Sequence, residues 1–205
     1  RNLVTGLSRA FFRLEVVGKE RIPASGPFIL APVHRDNVDT PIISAVTRRR
    51  MRYLGKQEMW KFRWSAWFFS NMGGIPVNRG APDRDALRHC QAVLEAGEPL
   101  VLFPEGTRHS GPIVRREDLH EGVSYLALRA GAPIVPVGIG GSEGAQPKGS
   151  KFLRPHKVVL VVGEPIPVEK VAGGRVRRPA VHELTDRLRD ELQILFDEAQ
   201  VRAGH

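Results

Sequence analysis

Apolar and polar positions change over in blocks along this chain. Short runs at Phe28 to Ala31, Arg52 to Leu54, Ile75 to Asn78, Leu100 to Phe103, Ile134 to Ile139 and Val158 to Val162 predict strands, most of them covered on both faces. Between them, apolar residues recurring every three or four positions predict helices over about 40–48, 58–70, 83–96 and 118–130. The clearest helix is the last, 181–200, where Val181, Leu184, Leu188, Leu192, Leu195 and Ala199 form one stripe. This alternation predicts an α/β fold: a single domain over 1–205 with a largely parallel or mixed central sheet covered by helices on both faces. Within it, residues 1–25 are expected to hold a membrane-associating helix.

Composition narrows the class. With 205 residues, 41% hydrophobic and 26% charged, the chain can bury one substantial core, and it carries no low-complexity tract or repeat. No apolar stretch approaches the roughly 20 residues that span a bilayer, so a soluble or peripheral protein is expected. The sequence opens on Arg1 rather than Met, which leaves open a preceding anchor. Its one cysteine, Cys90, excludes an internal disulfide and a Cys-based zinc cluster, and its spacing from Leu87 and Leu94 places it on an apolar helix face. A reducing cytoplasm is the default compartment. No H-x-H or H-E-x-x-H spacing occurs, so no metal site is expected.

Charge is unevenly placed. Of a net charge of +9, residues 1–70 hold an excess of +8, with 13 Lys or Arg against 5 Asp or Glu. All three tryptophans, Trp60, Trp64 and Trp67, lie here beside Lys61 and Arg63. Basic groups mixed with aromatics suit an anionic membrane surface or single-stranded nucleic acid. The plainer reading is an amphipathic helix that buries its aromatic side chains.

Candidate chemistry lies where strand runs end, because ligands of such sheets bind in the loops at the carboxyl ends of strands. Three ends are polar: His34-Arg-Asp-Asn-Val-Asp39, Asn78-Arg79-Gly80 and Pro104-Glu-Gly-Thr-Arg108. A strand, a tight turn and a helix start would let His34 and Asp39 meet, with Thr40 as N-cap and Pro41 as first helical residue. A histidine held by a carboxylate can draw the proton from a hydroxyl. Arg79 and Arg108 suit forked hydrogen bonding to phosphate, and Gly106 would let backbone amides approach an anion. An alcohol that bears a phosphate is a natural substrate for this set.

His34-x4-Asp39, Gly74-Ile-Pro-Val-Asn-Arg79, Phe103-Pro-Glu-Gly-Thr-Arg108 and Val135-Pro-Val-Gly138 resemble, in order, the four motif blocks of the glycerolipid acyltransferases, in particular the 1-acylglycerol-3-phosphate acyltransferases. Lys56-Gln-Glu-Met59 resembles a further element between the first two blocks. The resemblance implies transfer of a fatty acyl group from a thioester, acyl-CoA or acyl carrier protein, to the hydroxyl of lysophosphatidic acid, giving phosphatidic acid in phospholipid biosynthesis. It implies His34 as general base and Asp39 as its orienting partner. Arg79, Glu105, Gly106, Thr107 and Arg108 would bind the acceptor phosphate, with Lys56 in support. No cofactor, metal or covalent acyl-enzyme is implied. Trp60, Trp64 and Trp67 would contact membrane or acyl chain, at the cytoplasmic face of an anionic membrane and without nucleic acid. The Arg-, Ala-, Val-, Gly- and Pro-rich composition fits a bacterial source.

Three positions depart from the pattern. Val33 and Asp36 stand where many members carry Asn and Ser, and His109 stands where the third block usually closes with Ser. The acceptor is therefore open to other lysophospholipids, glycolipids and amino-acid-containing lipids. A different chemistry is offered by Gly140-Gly-Ser-Glu-Gly144, which satisfies the nucleophile elbow of serine hydrolases and would make Ser142 the nucleophile. The residues after it are poor helix formers, which counts against that reading.

Overall fold

A computed structural model describes residues 6, 9–77, 84–146, 152–171 and 175–205; the side chains of Lys56 and Arg84 are not described. Seven strands form one sheet: β1 Glu15–Val17, β2 Ile29–Pro32, β3 Arg52–Lys56, β4 Gly74–Val77, β5 Leu100–Val101, β6 Ile134–Gly140 and β7 Val159–Val162. Their order is β1-β7-β6-β2-β5-β3-β4, parallel throughout except where β6 meets β7. This is the single-domain, mostly parallel α/β architecture that the alternating pattern predicts.

The helices that accompany the sheet include α1 Asp39–Ile42, α2 Arg63–Asn71, α3 Arg84–Glu95, α4 Gly122–Ala130, α5 Ser142–Ala145 and α6 Arg178–Ala203. The last extends the predicted 181–200 helix by three residues at each end. It lies directly on β6, where side chains added at Gly138 and Gly140 would come within 2.1 and 2.2 Å of its backbone at Leu195 and Ala199. Alternate residues of a strand share a face, so these two glycines clear a seat for the helix while Val137 and Ile139 fill the opposite layer. Packing of the α6 stripe on β6 and β7 builds one part of the core, with Leu188, Leu192 and Phe196 fully inaccessible.

Two expectations are corrected. Residues 15–17 form a strand paired with β7, so the region 1–25 is not one helix; among the described residues Gly6 and Arg9–Phe11 are helical. The run Glu15-Val-Val17 is too short to signal itself, and its β character comes from pairing. Helix α1 begins at Asp39, not after Thr40, and continues as a 3-10 turn over Ile43–Val46. Pro41 is still accommodated, because amides of the first helical turn have no partner within the helix.

Candidate active site

Strand β2 runs between β6 and β5 and is inaccessible along its length, so the chain that leaves it at Val33 emerges at the carboxyl edge of the sheet. The segment that follows is a tight turn. Asp36 Oδ1 accepts the Val38 N–H at 3.1 Å, and the Asp39 carboxylate turns back to accept the N–H groups of Arg35 and Asp36, each at 2.7 Å. This folding brings Asp39 Oδ2 to 3.1 Å from His34 Nδ1. Asp39 is wholly buried and His34 keeps 16% of its side chain accessible. A carboxylate only accepts, so Nδ1 carries the hydrogen and Nε2 is the basic nitrogen. The ring rests on Phe103, with centroids 4.2 Å apart and planes tilted by 34°.

The loop after β5 closes the site from the other side. Glu105 is 2% exposed, and both its oxygens are engaged inside the protein. Oε2 accepts the backbone N–H of His34 at 2.6 Å and Oε1 accepts from Arg35 Nη1. The expected place of Glu105 among phosphate ligands is therefore corrected: its negative charge is spent on orienting the His34 loop, and it faces no open space. Arg35 is buried with it, its guanidinium 4.7 Å above the Phe196 ring of α6.

Gly106 serves the turn rather than an anion. Its φ is +64°, its N–H bonds Phe103 O, and an added side chain would meet the His120 ring at 2.6 Å. The Thr107 N–H is likewise taken, by Glu105 O at 2.6 Å. The Thr107 hydroxyl and Arg108 are exposed at the mouth of this site, and Arg108 has no ion-pair partner among the described residues. The His109 N–H donates to His34 O at 3.0 Å, which ties the two loops side by side.

Asp36 sits close enough to Arg108 for their charges to interact, and burial pushes its carboxyl above the ordinary aspartate value. Asp36, which stands where many members carry Ser, is a turn cap through its bond to Val38. Arg79 lies outside the described residues, and so does the side chain of Lys56; Lys56 is the last residue of β3, and Arg79 comes two residues after the end of β4 in sequence.

The aromatic segment divides. Trp60 folds inward, packing over Gly55 and Gly74 of neighbouring strands and donating from Nε1 to Ser70 Oγ at 3.1 Å. It is half-buried there, unlike the other two tryptophans. Trp64 and Trp67 on α2 are 71% and 70% exposed, with Phe62 and Phe68 beside them in sequence and also exposed. An amphipathic helix that hides its aromatics is therefore not what α2 is.

Ser142 is 1% exposed and its hydroxyl has no hydrogen-bond partner, so no base stands against it and the hydrolase geometry is missing. Among the described residues no group of His, Cys, Asp or Glu is arranged to hold a metal ion. Sequence reading missed Arg35, hidden within the His34–Asp39 turn, and Phe103 beneath the imidazole. An arginine next to a histidine carries no mark of burial, although an unbroken apolar run ending in Phe103 did place that ring at the strand end.

Comparison with known proteins gives the family and the fold. A profile of the acyltransferase family matches residues 13–140, which hold all the site residues above. The chain is 27% identical over 154 residues to a 1-acyl-sn-glycerol-3-phosphate acyltransferase of Bacillus subtilis, covering 75% of this chain and 73% of that protein. It is 28% identical over 114 residues to a lyso-ornithine lipid O-acyltransferase of Pseudomonas aeruginosa, covering 55% and 43%. Of the chloroplast relative from Brassica napus that it matches, the chain spans 44%. In fold it is similar to the crystal structure of a 1-acyl-sn-glycerophosphate acyltransferase from Thermotoga maritima, with a TM-score of 0.75 at 24% identity, over 96% of this chain and 78% of that one.

Proposed function

The chain belongs to the acyltransferase family, and from that premise we propose that it transfers a fatty acyl group from an acyl thioester to the free hydroxyl of lysophosphatidic acid. The observation that carries this reading is the His34–Asp39 pair at the carboxyl edge of the sheet, tied through the His109 N–H to the loop that exposes Thr107 and Arg108.

The chemistry follows from the geometry. Asp39 fixes the tautomer and stabilises the positive charge that develops on the ring. His34 Nε2 takes the proton of the acceptor hydroxyl as its oxygen attacks the thioester carbon. The tetrahedral adduct then expels the thiolate, which takes up the proton from the imidazolium. One C–O bond forms, one C–S bond breaks, and no acyl-enzyme is needed. Arg108 and the Thr107 hydroxyl bind the acceptor phosphate, with Arg79 as a further ligand proposed on sequence alone. The donor is acyl-CoA or acyl carrier protein; the basic first third suits either of these anionic partners.

Residues Lys61, Phe62, Arg63, Trp64 and Trp67 support docking on an anionic lipid surface, because exposed aromatics next to cations gain from both interface and headgroups. No described helix is long and apolar enough to cross a membrane, and a peripheral position at the cytoplasmic face is the proposed location.

A second acceptor is favoured by one observation. Asp36 near Arg108 lowers the net positive charge of the mouth, which suits a lysolipid that carries a cationic group, such as the lyso-ornithine lipid named for the Pseudomonas relative. The test is thiol release from palmitoyl-CoA with lysophosphatidic acid, a lyso-ornithine lipid or no acceptor, in wild type and His34→Ala. Release that depends on lysophosphatidic acid and vanishes in the variant is expected. Release with the ornithine lipid alone would reassign the acceptor, and release unaffected by His34→Ala would remove the mechanism.

A further inference from the structure

A second imidazole–carboxylate pair stands next to the first. His109 Nδ1 lies 3.3 Å from Asp118 Oδ2, and His109 Nε2 lies 3.2 Å from Thr107 Oγ1. Asp118 closes a 3-10 turn over Arg116–Asp118, and the His109 backbone is bonded to His34 O. The order carboxylate, imidazole, hydroxyl is therefore complete, and it ends on the hydroxyl proposed above to meet the acceptor phosphate.

The Thr107–His109 hydrogen bond admits two states. The Asp118 carboxylate faces Nδ1 as an ion-pair contact and favours a hydrogen on that nitrogen in both. With the ring neutral, Nε2 is bare and takes the Thr107 hydroxyl hydrogen, which turns only oxygen lone pairs toward the mouth. With the ring protonated, Nε2–H donates to Thr107 Oγ1, and the hydroxyl hydrogen is released to point at a phosphate oxygen. A phosphate in the mouth would put anions on both sides of the imidazole and favour the charged form.

We propose that the Asp118–His109 pair is a proton-coupled positioning device for the acceptor headgroup: phosphate binding is accompanied by uptake of one proton at His109, which frees the Thr107 hydroxyl to donate. The proton comes from solvent and no covalent bond is made. The inference rests on the proposed place of Thr107 and Arg108 in the acceptor site. The charged and titratable groups of the elements packed here are Asp118, Glu117 and Arg116 of the 3-10 turn, Arg108 before His109, His120 against Gly106, and His34 and Asp36 of the facing loop. Of these, Arg116 is engaged by Glu121 and Asp186; the facing loops also carry the buried Arg35 and Glu105, which engage each other. Asp118 is the carboxylate that contacts the ring.

The test uses two readouts on the whole protein. The His109 imidazole resonances, assigned by loss in His109→Gln, are followed from about pH 5 to about pH 9, a span centred near imidazole titration. Glycerol 3-phosphate is the probe. It is expected to raise the His109 titration midpoint by about one unit, which by linkage means acceptor affinity falling about tenfold across that titration. In kinetics, His109→Gln and Asp118→Asn raise the acceptor KM and flatten its pH dependence, with kcat and donor KM little changed. A midpoint that glycerol 3-phosphate leaves in place, in a protein that acylates lysophosphatidic acid, overturns the proposal. So does an acceptor KM whose pH profile is the same in wild type and His109→Gln. A shifted midpoint without acylation of lysophosphatidic acid upholds the phosphate device and overturns the acceptor reading instead.

Discussion

Glu105 holds the backbone N–H of His34 at 2.6 Å although the two residues are 71 positions apart. The same carboxylate holds Arg35, so His34 is fixed by its main chain from one loop and by its ring, through Asp39, from its own.

Removing Glu105 is expected to destabilise the fold as well as the reaction. Glu105→Ala leaves Arg35 charged and unpaired in the interior, a loss of about 3–5 kcal/mol when one partner of a buried pair is deleted. The double variant Arg35→Met with Glu105→Gln is expected to recover most of that stability but not the full rate. Denaturant unfolding of both variants checks this. Equal stability of Glu105→Ala and wild type would show that the pair is not enclosed.

Asp39→Asn separates holding the turn from holding the proton. The amide oxygen can still accept from Arg35 and Asp36 N–H, so the loop is expected to keep its shape. Toward His34 the amide no longer offers an anion, and kcat is expected to fall about 10²–10⁴-fold, the usual range for loss of acid–base assistance. Steady-state rates with both substrates saturating measure it; a kcat within twofold of wild type would exclude Asp39 as orienting partner.

Arg108→Ala is expected to raise the KM for lysophosphatidic acid about ten- to a hundredfold, as a lost charged hydrogen bond of about 1.5–3 kcal/mol implies, with donor KM unchanged. A defect confined to the donor would place Arg108 on the thioester side of the reaction.

Trp64→Ala with Trp67→Ala is expected to weaken sedimentation with anionic vesicles about tenfold or more without lowering Tm, because an aromatic moved into lipid contributes about 1.5–3 kcal/mol and these two contribute little to the core. Vesicle binding equal to wild type would locate membrane contact elsewhere.

Two carboxylates bend stability with pH in opposite directions. Burial raises Asp36 above its ordinary value, so its contribution is fullest in acid, below the unfolded value, and is lost as pH rises through the folded one. Asp36→Asn, whose side-chain oxygen still caps Val38, should therefore gain on wild type as pH rises toward neutral. Glu98 is lowered mainly by its hydrogen bond from Arg52, so its contribution is present at neutral pH and fades as pH falls through the folded value; being partly exposed, it is small. Unfolding midpoints from acid to neutral pH in Asp36→Asn and Glu98→Gln distinguish the two signs.

Much of this was legible in the chain. Six of the seven strands and the long last helix announce themselves, because unbroken apolar runs and a stripe at intervals of three and four follow directly from which faces are buried. The His34–Asp39 pairing was legible as well, since a tight turn needs only local bonds. Strand β1 was not, because three residues have no periodicity to read and take their form from β7.

The sequence by itself determined the type of chemistry, by placing a histidine, a carboxylate and arginines at successive strand ends. Only the tertiary structure decided their roles. Glu105 and Thr107 are two residues apart in one motif, yet one is buried against His34 and Arg35 and the other is exposed at the mouth. Trp60 and Trp64 share one segment, yet one packs on glycines and the other faces solvent. Local pattern reports what a residue can do, whereas burial and charge partners come from segments far away in the chain, as with Glu105 and His34. Those contacts settle which capacity is used.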